Sequence, residues 1–551
     1  MSTKSGSSIT PPVAVNEPVQ DYSPGSPERR TLVARLKEME RDRIDIPMVI
    51  GGKEVTSGDL YETVMPHRTK HVLGDVHQGS ARHLAAAVAA SGEAHDSWAS
   101  MPWEDRAAVF LRAADLLAGP WRDTINASTM LGQSKTVHQA EIDAACELID
   151  FFRFNVQFAA QIYAQQPISS AGMWNQMDYR PLEGFVLAVS PFNFTSIAAN
   201  LPASAALMGN TVVWKPSHTQ SFSAHYLMKL FEAAGLPDGV INMVNGPGPE
   251  IGEAALTHPD LAGIHFTGST PTFDWMWKKV GANIGNYRSF PRIVGETGGK
   301  DFIIAHRTAE VDAVATAVIR GGFEYQGQKC LAASRIYIPS GMWPVLRERF
   351  ADEVPRIKVG EVTDFGNFMG AVIDERAFKT HAEALEEAKA SPGLEIIAGG
   401  EVDDSEGFFV QPTIVRTEDP RARLIREELF GPVVTVFVYP ENEYAETMDL
   451  VGSTSPYALT GAVFADDRAA VLQAKESLRY SAGNFYINDK PTGAVVGQQP
   501  FGGGRRSGTN DKAGSMWNLI RWVSPRTIKE TFVPATDYRY PFMDADDMDR
   551  P

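Results

Sequence analysis

Cysteine is almost missing from this chain, with only Cys146 and Cys330 among 551 residues. Two thiols exclude a disulfide framework and a thiolate metal site, and they fit a reducing compartment. Basic charge is also short. The 51 Lys and Arg against 68 Asp and Glu leave a net charge of −17, which argues against nucleic acid or an anionic membrane as partner. No apolar run approaches the roughly 20 residues that span a bilayer. Residues 1–30 lack an apolar h-region and carry Glu17, Asp21 and Glu28, so they read as a flexible arm and not as a signal or transit peptide. A cytoplasmic protein is expected, or one of the mitochondrial matrix in a eukaryote. The His residues have no ligand spacing, and no metal is expected. The G-x-G-x-x-G fingerprint is absent too, because "NGPGPEIG" has the wrong spacing. A dinucleotide site here is therefore not of the common Rossmann type.

What the chain does have is length and alternation. Single cores stop growing near roughly 250–300 residues, so two large domains are expected. From about Glu183 short apolar runs alternate with amphipathic stretches. The strand-like runs are "GFVLAVS", "TVVWKPS", "GVINMVNG" and "LAGIHFTGS"; between and after them lie "SIAANLPASAALMG", "FSAHYLMKLFEAAG", "PEIGEAALTH" and "TPTFDWMWKKVGANI". Such alternation predicts a parallel sheet covered by helices, with ligands at the carboxyl ends of its strands. A second α/β series starts near "RIVGETGGKDFIIA" and ends near "AGNFYINDK". The stretch "PISSAGMWNQMDYR" and the tail from Trp522 show neither period; they read as arms on a neighbouring subunit or as surface loops.

Three stretches carry candidate chemistry. Cys330 follows the polar, glycine-containing "EYQGQK", as in a chain turning into a cleft, and Lys329 beside it could stabilise a thiolate. A lone intracellular cysteine is also commonly a small core residue, and the residues alone leave both readings open. Cys146, in "AACELIDFF", reads as packing. Glu296 in "VGETGGK" sits at a predicted strand end, where a carboxylate serves either as a general base raised by burial or as a helix cap. Asn193 in "SPFNFT" offers an amide to an oxyanion, or makes an Asx-turn. For a cofactor, Gly268 and Ser269 in "FTGSTPT" lie at a predicted helix start suited to phosphate. Lys215 ends the strand of "VVWKPSHT", within reach of a ribose or phosphate.

Taken together, "SPFNF", "VVWKPS", "FTGS", "GETGGK", "GQKC", "EELFGPV" and "GNFYIND" resemble, in this order, the aldehyde dehydrogenase superfamily over nearly the whole chain. The resemblance implies an α/β fold with a Rossmann-like NAD-binding domain (31–166 and 185–295), a catalytic domain (296–505) and an oligomerisation arm (167–184 and 522–551) that makes a homodimer or larger homo-oligomer. It implies Cys330 as nucleophile, Glu296 as the base that activates water, and Asn193 with the Cys330 N–H as oxyanion hole. Lys215, Ser217, Gly268 and Ser269 would hold the adenosine and pyrophosphate, and Glu428 and Phe430 the nicotinamide ribose.

Further stretches, among them "EIDAACELIDFFRFN" and "INDKPTGAVVGQQPFGGGRRSGTND", resemble the branch of that superfamily that oxidises L-glutamate γ-semialdehyde, formed from 1-pyrroline-5-carboxylate, to L-glutamate in the second step of proline catabolism. A proline dehydrogenase is then an expected partner. By that resemblance Gly493 and Ala494 hold the substrate α-carboxylate, Glu147 its α-amino group, and Phe194 and Phe501 flank its aliphatic chain, with Lys329 also at the substrate. From the residues alone Glu147 pairs equally well with Arg153. Two positions depart from the branch. Leu331 replaces a serine whose hydroxyl helps hold the carboxylate, a hydrogen bond worth about 1.5–3 kcal/mol, which keeps a less polar aldehyde as the alternative substrate. His218 replaces an acid that many NAD-specific relatives carry, so NAD is expected but NADP is not excluded.

Overall fold

The computed structural model describes residues 10–543. Two seven-stranded sheets organise them. The first runs, edge to edge, Arg292–Glu296, Leu261–Thr267, Phe185–Val189, Thr211–Lys215, Ile241–Met243, Met48–Ile50 and Lys53–Val55. Its first five strands are parallel. Strands covered on both faces must be apolar throughout, and Leu261–Thr267 is buried at all seven positions. The second sheet runs Leu394–Ala398, Thr413–Thr417, Val433–Tyr439, Ala333–Pro339, Asp301–Ala305, Thr460–Phe464 and Asn484–Ile487. All its pairings are parallel except that of the edge strand Leu394–Ala398.

Glu296 ends the last strand of the first sheet and Asp301 begins the second. The crossover is thus Thr297–Lys300, a few residues beyond the expected start of the second series. After the second sheet the chain returns: Thr509 N–H donates to Gly295 O (2.9 Å), and Leu519, Trp522 and Val523 are buried in the first core. The expected arm therefore begins after Val523. Its strand Ser524–Thr531 pairs antiparallel with Met173–Arg180 in an exposed two-stranded ribbon.

The expectation of a flexible arm over residues 1–30 needs correction where the structure describes them; residues 1–9, and 544–551 of the tail, lie outside the described residues. Tyr22 is buried and its hydroxyl donates to Glu141 (2.9 Å). Arg122, itself buried, binds Glu17 (2.6 Å) and the Pro18 carbonyl (2.9 Å). Ser26 then caps the helix Pro27–Arg41, accepting from Arg29 N–H. Polar bonds hold this segment, which is why an apolar period does not betray it.

Candidate active site

The nucleophile candidate sits at the end of a strained turn. Tyr325 and Gln326 have φ of 51° and 55°, and Gly327 has 64°. Two consecutive non-glycine residues in this left-handed region cost on the order of 1–3 kcal/mol each and persist only where the surroundings over-determine them. They do so here. Gln326 donates to the carbonyls of Ser134 (2.9 Å) and Ala371 (2.7 Å) and accepts from Gly370 N–H (3.0 Å). Tyr325 donates to Gln133 O (2.9 Å), and Gln328 Oε1 accepts from Ile373 N–H (2.9 Å). Glycine is required at 327, where a Cβ would stand 2.4 Å from the Gly431 carbonyl.

Cys330 is buried but lines a pocket, and Glu296 lines the same pocket. Burial first, and then the carboxylates of Asp301, Glu428 and Glu296, hold the Cys330 thiol well above its ordinary pKa. The Lys329 ammonium does not offset this. It lies 3.6 Å from Glu324 and 3.9 Å from Asp143, so its charge serves those carboxylates and not a neighbouring thiolate. Burial likewise raises Glu296 well above the usual carboxylate range, against the Gly503 N–H that donates to it (3.2 Å) and the nearby Lys512. Asn193 donates one amide hydrogen to Gln328 O (3.0 Å), which ties it to the residue two before Cys330.

Apolar and polar groups together line the rest of the pocket. Phe194, Phe501, Phe151 and Leu331 form apolar walls, and Gly493, Ala494, Glu147, Asp143 and Lys329 line it as well. Glu147 accepts from the Ser196 hydroxyl and is pushed up to about 8 by burial and by the charge of Asp143. Arg153 does not pair with it; that guanidinium binds Glu17 (2.7 Å).

Sequence reasoning missed the pair formed by Lys135 and the pocket-lining Asp143. Lys135 is fully buried, binds Asp143 (2.6 Å), and places its ammonium 4.3 Å and 4.4 Å from the ring centroids of Phe194 and Tyr325. Asp143 sits in a π-helical turn, Glu141–Cys146, just before the helix Glu147–Tyr163. Such turns recur at functional sites, but no sequence pattern announces one.

The residues proposed for a cofactor gather at the carboxyl ends of the first sheet and across the cleft from it. Ser269 caps the helix Thr270–Ala282, and Lys215 closes the strand Thr211–Lys215. The Lys215 ammonium is buried, pulled down to about 8 by desolvation, and among the described residues its hydrogen bond goes only to Pro216 O (3.2 Å). A buried ammonium without an acid is incomplete, and ribose hydroxyls would complete it. Ser217 shares a hydroxyl contact with Thr219 (3.3 Å), and His218 stacks on Tyr61 with centroids 3.7 Å apart. On the other side Glu428 accepts from Gly299 N–H (2.8 Å) and is raised to about 7 by burial. A Cβ at Gly298 would lie 2.3 Å from its carboxylate, so the chain must be bare there. Phe430, at φ 59°, meets Phe192 edge to face. A helix N-terminus, an unpaired buried ammonium and a carboxylate on the opposite wall suit a dinucleotide.

A buried thiol and a raised carboxylate in one pocket, with a capped helix start and a buried ammonium at the strand ends of the first sheet, define an aldehyde-oxidising site. The chain belongs to the aldehyde dehydrogenase family, whose profile matches residues 54–528. The Δ1-pyrroline-5-carboxylate dehydrogenase of Dictyostelium discoideum mitochondria is 50% identical over 97% of this chain and 96% of its own length. The crystal structure of the corresponding Mycobacterium tuberculosis enzyme bound with NAD superposes with a TM-score of 0.95 at 56% identity, covering 98% of this chain and 100% of that one. Proline utilization A of Bdellovibrio bacteriovorus is also similar (TM-score 0.89, 29% identity); the match covers 94% of this chain and 53% of that longer protein.

Proposed function

We propose that this protein oxidises L-glutamate γ-semialdehyde, the open form of 1-pyrroline-5-carboxylate, to L-glutamate with NAD. The observation that carries the reading is one pocket lined by Cys330 and Glu296, by Glu147, Gly493 and Ala494, and by the rings of Phe151, Phe194 and Phe501. An aldehyde with an amino acid head fits that lining. NAD, when bound, supplies the hydride acceptor; Lys215, Ser217, Gly268 and Ser269 would hold its adenosine diphosphate part, and Glu428 and Phe430 its nicotinamide end.

The Cys330 sulfur adds to the aldehyde carbon as a thiolate. The oxyanion that forms faces the Asn193 amide and the Cys330 N–H. Loss of hydride from that carbon leaves a γ-glutamyl thioester on Cys330. Glu296, ionised, takes a proton from water, whose oxygen attacks the thioester carbon and expels the thiolate. The balance is one aldehyde, one water and one NAD consumed, with one carboxylate, one reduced coenzyme and two protons formed. In the same pocket the Gly493 and Ala494 N–H groups meet the α-carboxylate and Glu147 the α-ammonium, and Lys329 holds Asp143 and Glu324.

A less polar aldehyde is the second reading, favoured by Leu331, whose side chain packs with Phe194 and Leu459 in the pocket wall. The ribbon of 173–180 and 524–531, with Trp174 in it and Phe532 just beyond it more than half exposed, supports a homodimer or larger homo-oligomer. The fused neighbour supports a proline-oxidising enzyme as supplier of the pyrroline. The two cysteines and acidic surface suit the cytoplasm, or the mitochondrial matrix in a eukaryote. Reduced-coenzyme absorbance with 1-pyrroline-5-carboxylate, succinate semialdehyde and hexanal, each with NAD and NADP, tests the assignment. Preference for the pyrroline with NAD is expected; preference for hexanal would overturn the substrate while leaving the family chemistry in place.

A further inference from the structure

The loop that carries Gly493 and Ala494 has few anchors of its own. Its internal hydrogen bonds link Val495 with Gln498 and Gln499 (2.9–3.0 Å), and Asn484 holds its far end at Pro500 O (3.1 Å). Val496 is buried beside Gly514, and two further outside contacts hold the loop's middle. Gly497, at φ 83°, lies against Phe154 of the helix Glu147–Tyr163 so closely that a Cβ would come within 2.3 Å of the ring. The other contact comes from the start of the chain.

Asn16 uses its whole amide there. Its Nδ2 donates to Val496 O (2.8 Å) and to Asp150 (2.8 Å), and its Oδ1 accepts from Gln498 Nε2 (2.9 Å). The segment around it is tied to the same helix and to the turn before it. Ala14 N–H donates to Gln157 (3.0 Å), Glu17 N–H to Asp150 (2.7 Å) and Gln20 N–H to Glu141 (2.8 Å). Asn16 thus bridges two parts of the pocket: the helix that begins with Glu147 and the loop that presents Gly493 and Ala494.

We infer that residues 14–20 are a strap that sets the substrate-carboxylate loop, with Asn16 as its positioning residue. The inference rests on the reading of Gly493 and Ala494 as the carboxylate site. Backbone N–H donors bind an anion well only when held in place beforehand, because a loop ordered at binding loses the affinity its ordering costs. Loosening the strap therefore weakens binding of carboxylated aldehydes and leaves the chemistry at Cys330 unchanged.

The test uses the full chain with NAD and compares glutarate semialdehyde, which has the carboxylate but no amino group, with hexanal, which has neither. Asn16→Ala should raise KM for glutarate semialdehyde about tenfold, the size of one good hydrogen bond lost, with its kcat and the hexanal parameters within about twofold. Gln498→Ala, a change at an exposed side chain, should move the same KM in the same direction, so the test survives if Asn16→Ala folds poorly. Hydrogen exchange of peptides covering 491–500 should rise in both variants. Equal losses on both aldehydes, or no change of KM in either variant, would overturn the strap. Ala494→Pro deletes a proposed donor directly. If it raises the carboxylated KM while the two strap variants do not, the strap alone fails; if it leaves that KM unchanged, the carboxylate reading fails and the strap with it.

Discussion

Replacing Glu296 by glutamine isolates the last chemical step. The change keeps the shape of the side chain and an oxygen to accept the Gly503 N–H, now at 3.2 Å. Lys512, the nearby cation, is already held by the Gly483 and Gly502 carbonyls (2.9 Å each), so the loss is one of basicity and not of fold. A positioned general base contributes roughly 10²–10⁴-fold, or about 3–5 kcal/mol of barrier, and hydrolysis of the thioester should slow by that factor. Hydride loss precedes the step and does not use Glu296. Mixing Glu296→Gln with NAD and glutarate semialdehyde should therefore give a burst of one reduced coenzyme per site, a slow steady rate and a glutaryl adduct on Cys330 by mass. In the wild type, Glu296 stays protonated until the pH passes its raised pKa, so acyl release climbs with pH above the usual carboxylate range, and the variant should lose that climb. A variant that shows no burst, or turns over at the wild-type rate, would refute the assignment of Glu296 as the base.

Two further outcomes follow from buried charge. Without coenzyme, alkylation of Cys330 by iodoacetamide should keep rising past pH 9, because burial and three carboxylates hold the thiol up; Glu428→Gln removes one of them and should speed the reaction at pH 8 about threefold, as a half-unit fall in pKa does, whereas a plateau below pH 8 would contradict this account. Glu147, held near 8 in the folded chain against 4.5 for the free group, keeps its proton while the unfolded chain releases its own, so stability falls as pH rises from about 4.5 to about 8. Glu147→Gln should match the wild-type unfolding temperature at pH 5, exceed it at pH 9, and raise KM for the amino-bearing pyrroline more than for glutarate semialdehyde; equal pH slopes would show that the carboxyl is not buried as described.

The sheets were readable because burial on both faces leaves a continuous apolar run: Leu261–Thr267 and Phe185–Val189 needed no partner to be recognised. Cys330, Glu296 and Glu428 could each be singled out beforehand because each lies in a short glycine-containing stretch, and Gly298, in the stretch of Glu296, leaves room for the Glu428 carboxylate. What escaped were contacts between polar groups far apart in the chain. The left-handed Tyr325 and Gln326 break the local rule that would assign such turns to glycine, and Gln133, Ser134, Gly370 and Ala371 make them tenable. Lys135 looks like an ordinary surface lysine until Asp143 and two rings enclose it. The N-terminal segment escaped for the same reason: its bonds to the helices and to the loop near residue 495 span 104 to 482 residues of sequence and carry no period. Hydropathy reads what is excluded from water, whereas polar partners are specified by geometry alone. A pocket lined by charged groups is therefore built from residues that are hard to read before the chain is folded, and here Asn16, from the beginning of the chain, bonds the loop near residue 495 that lines it.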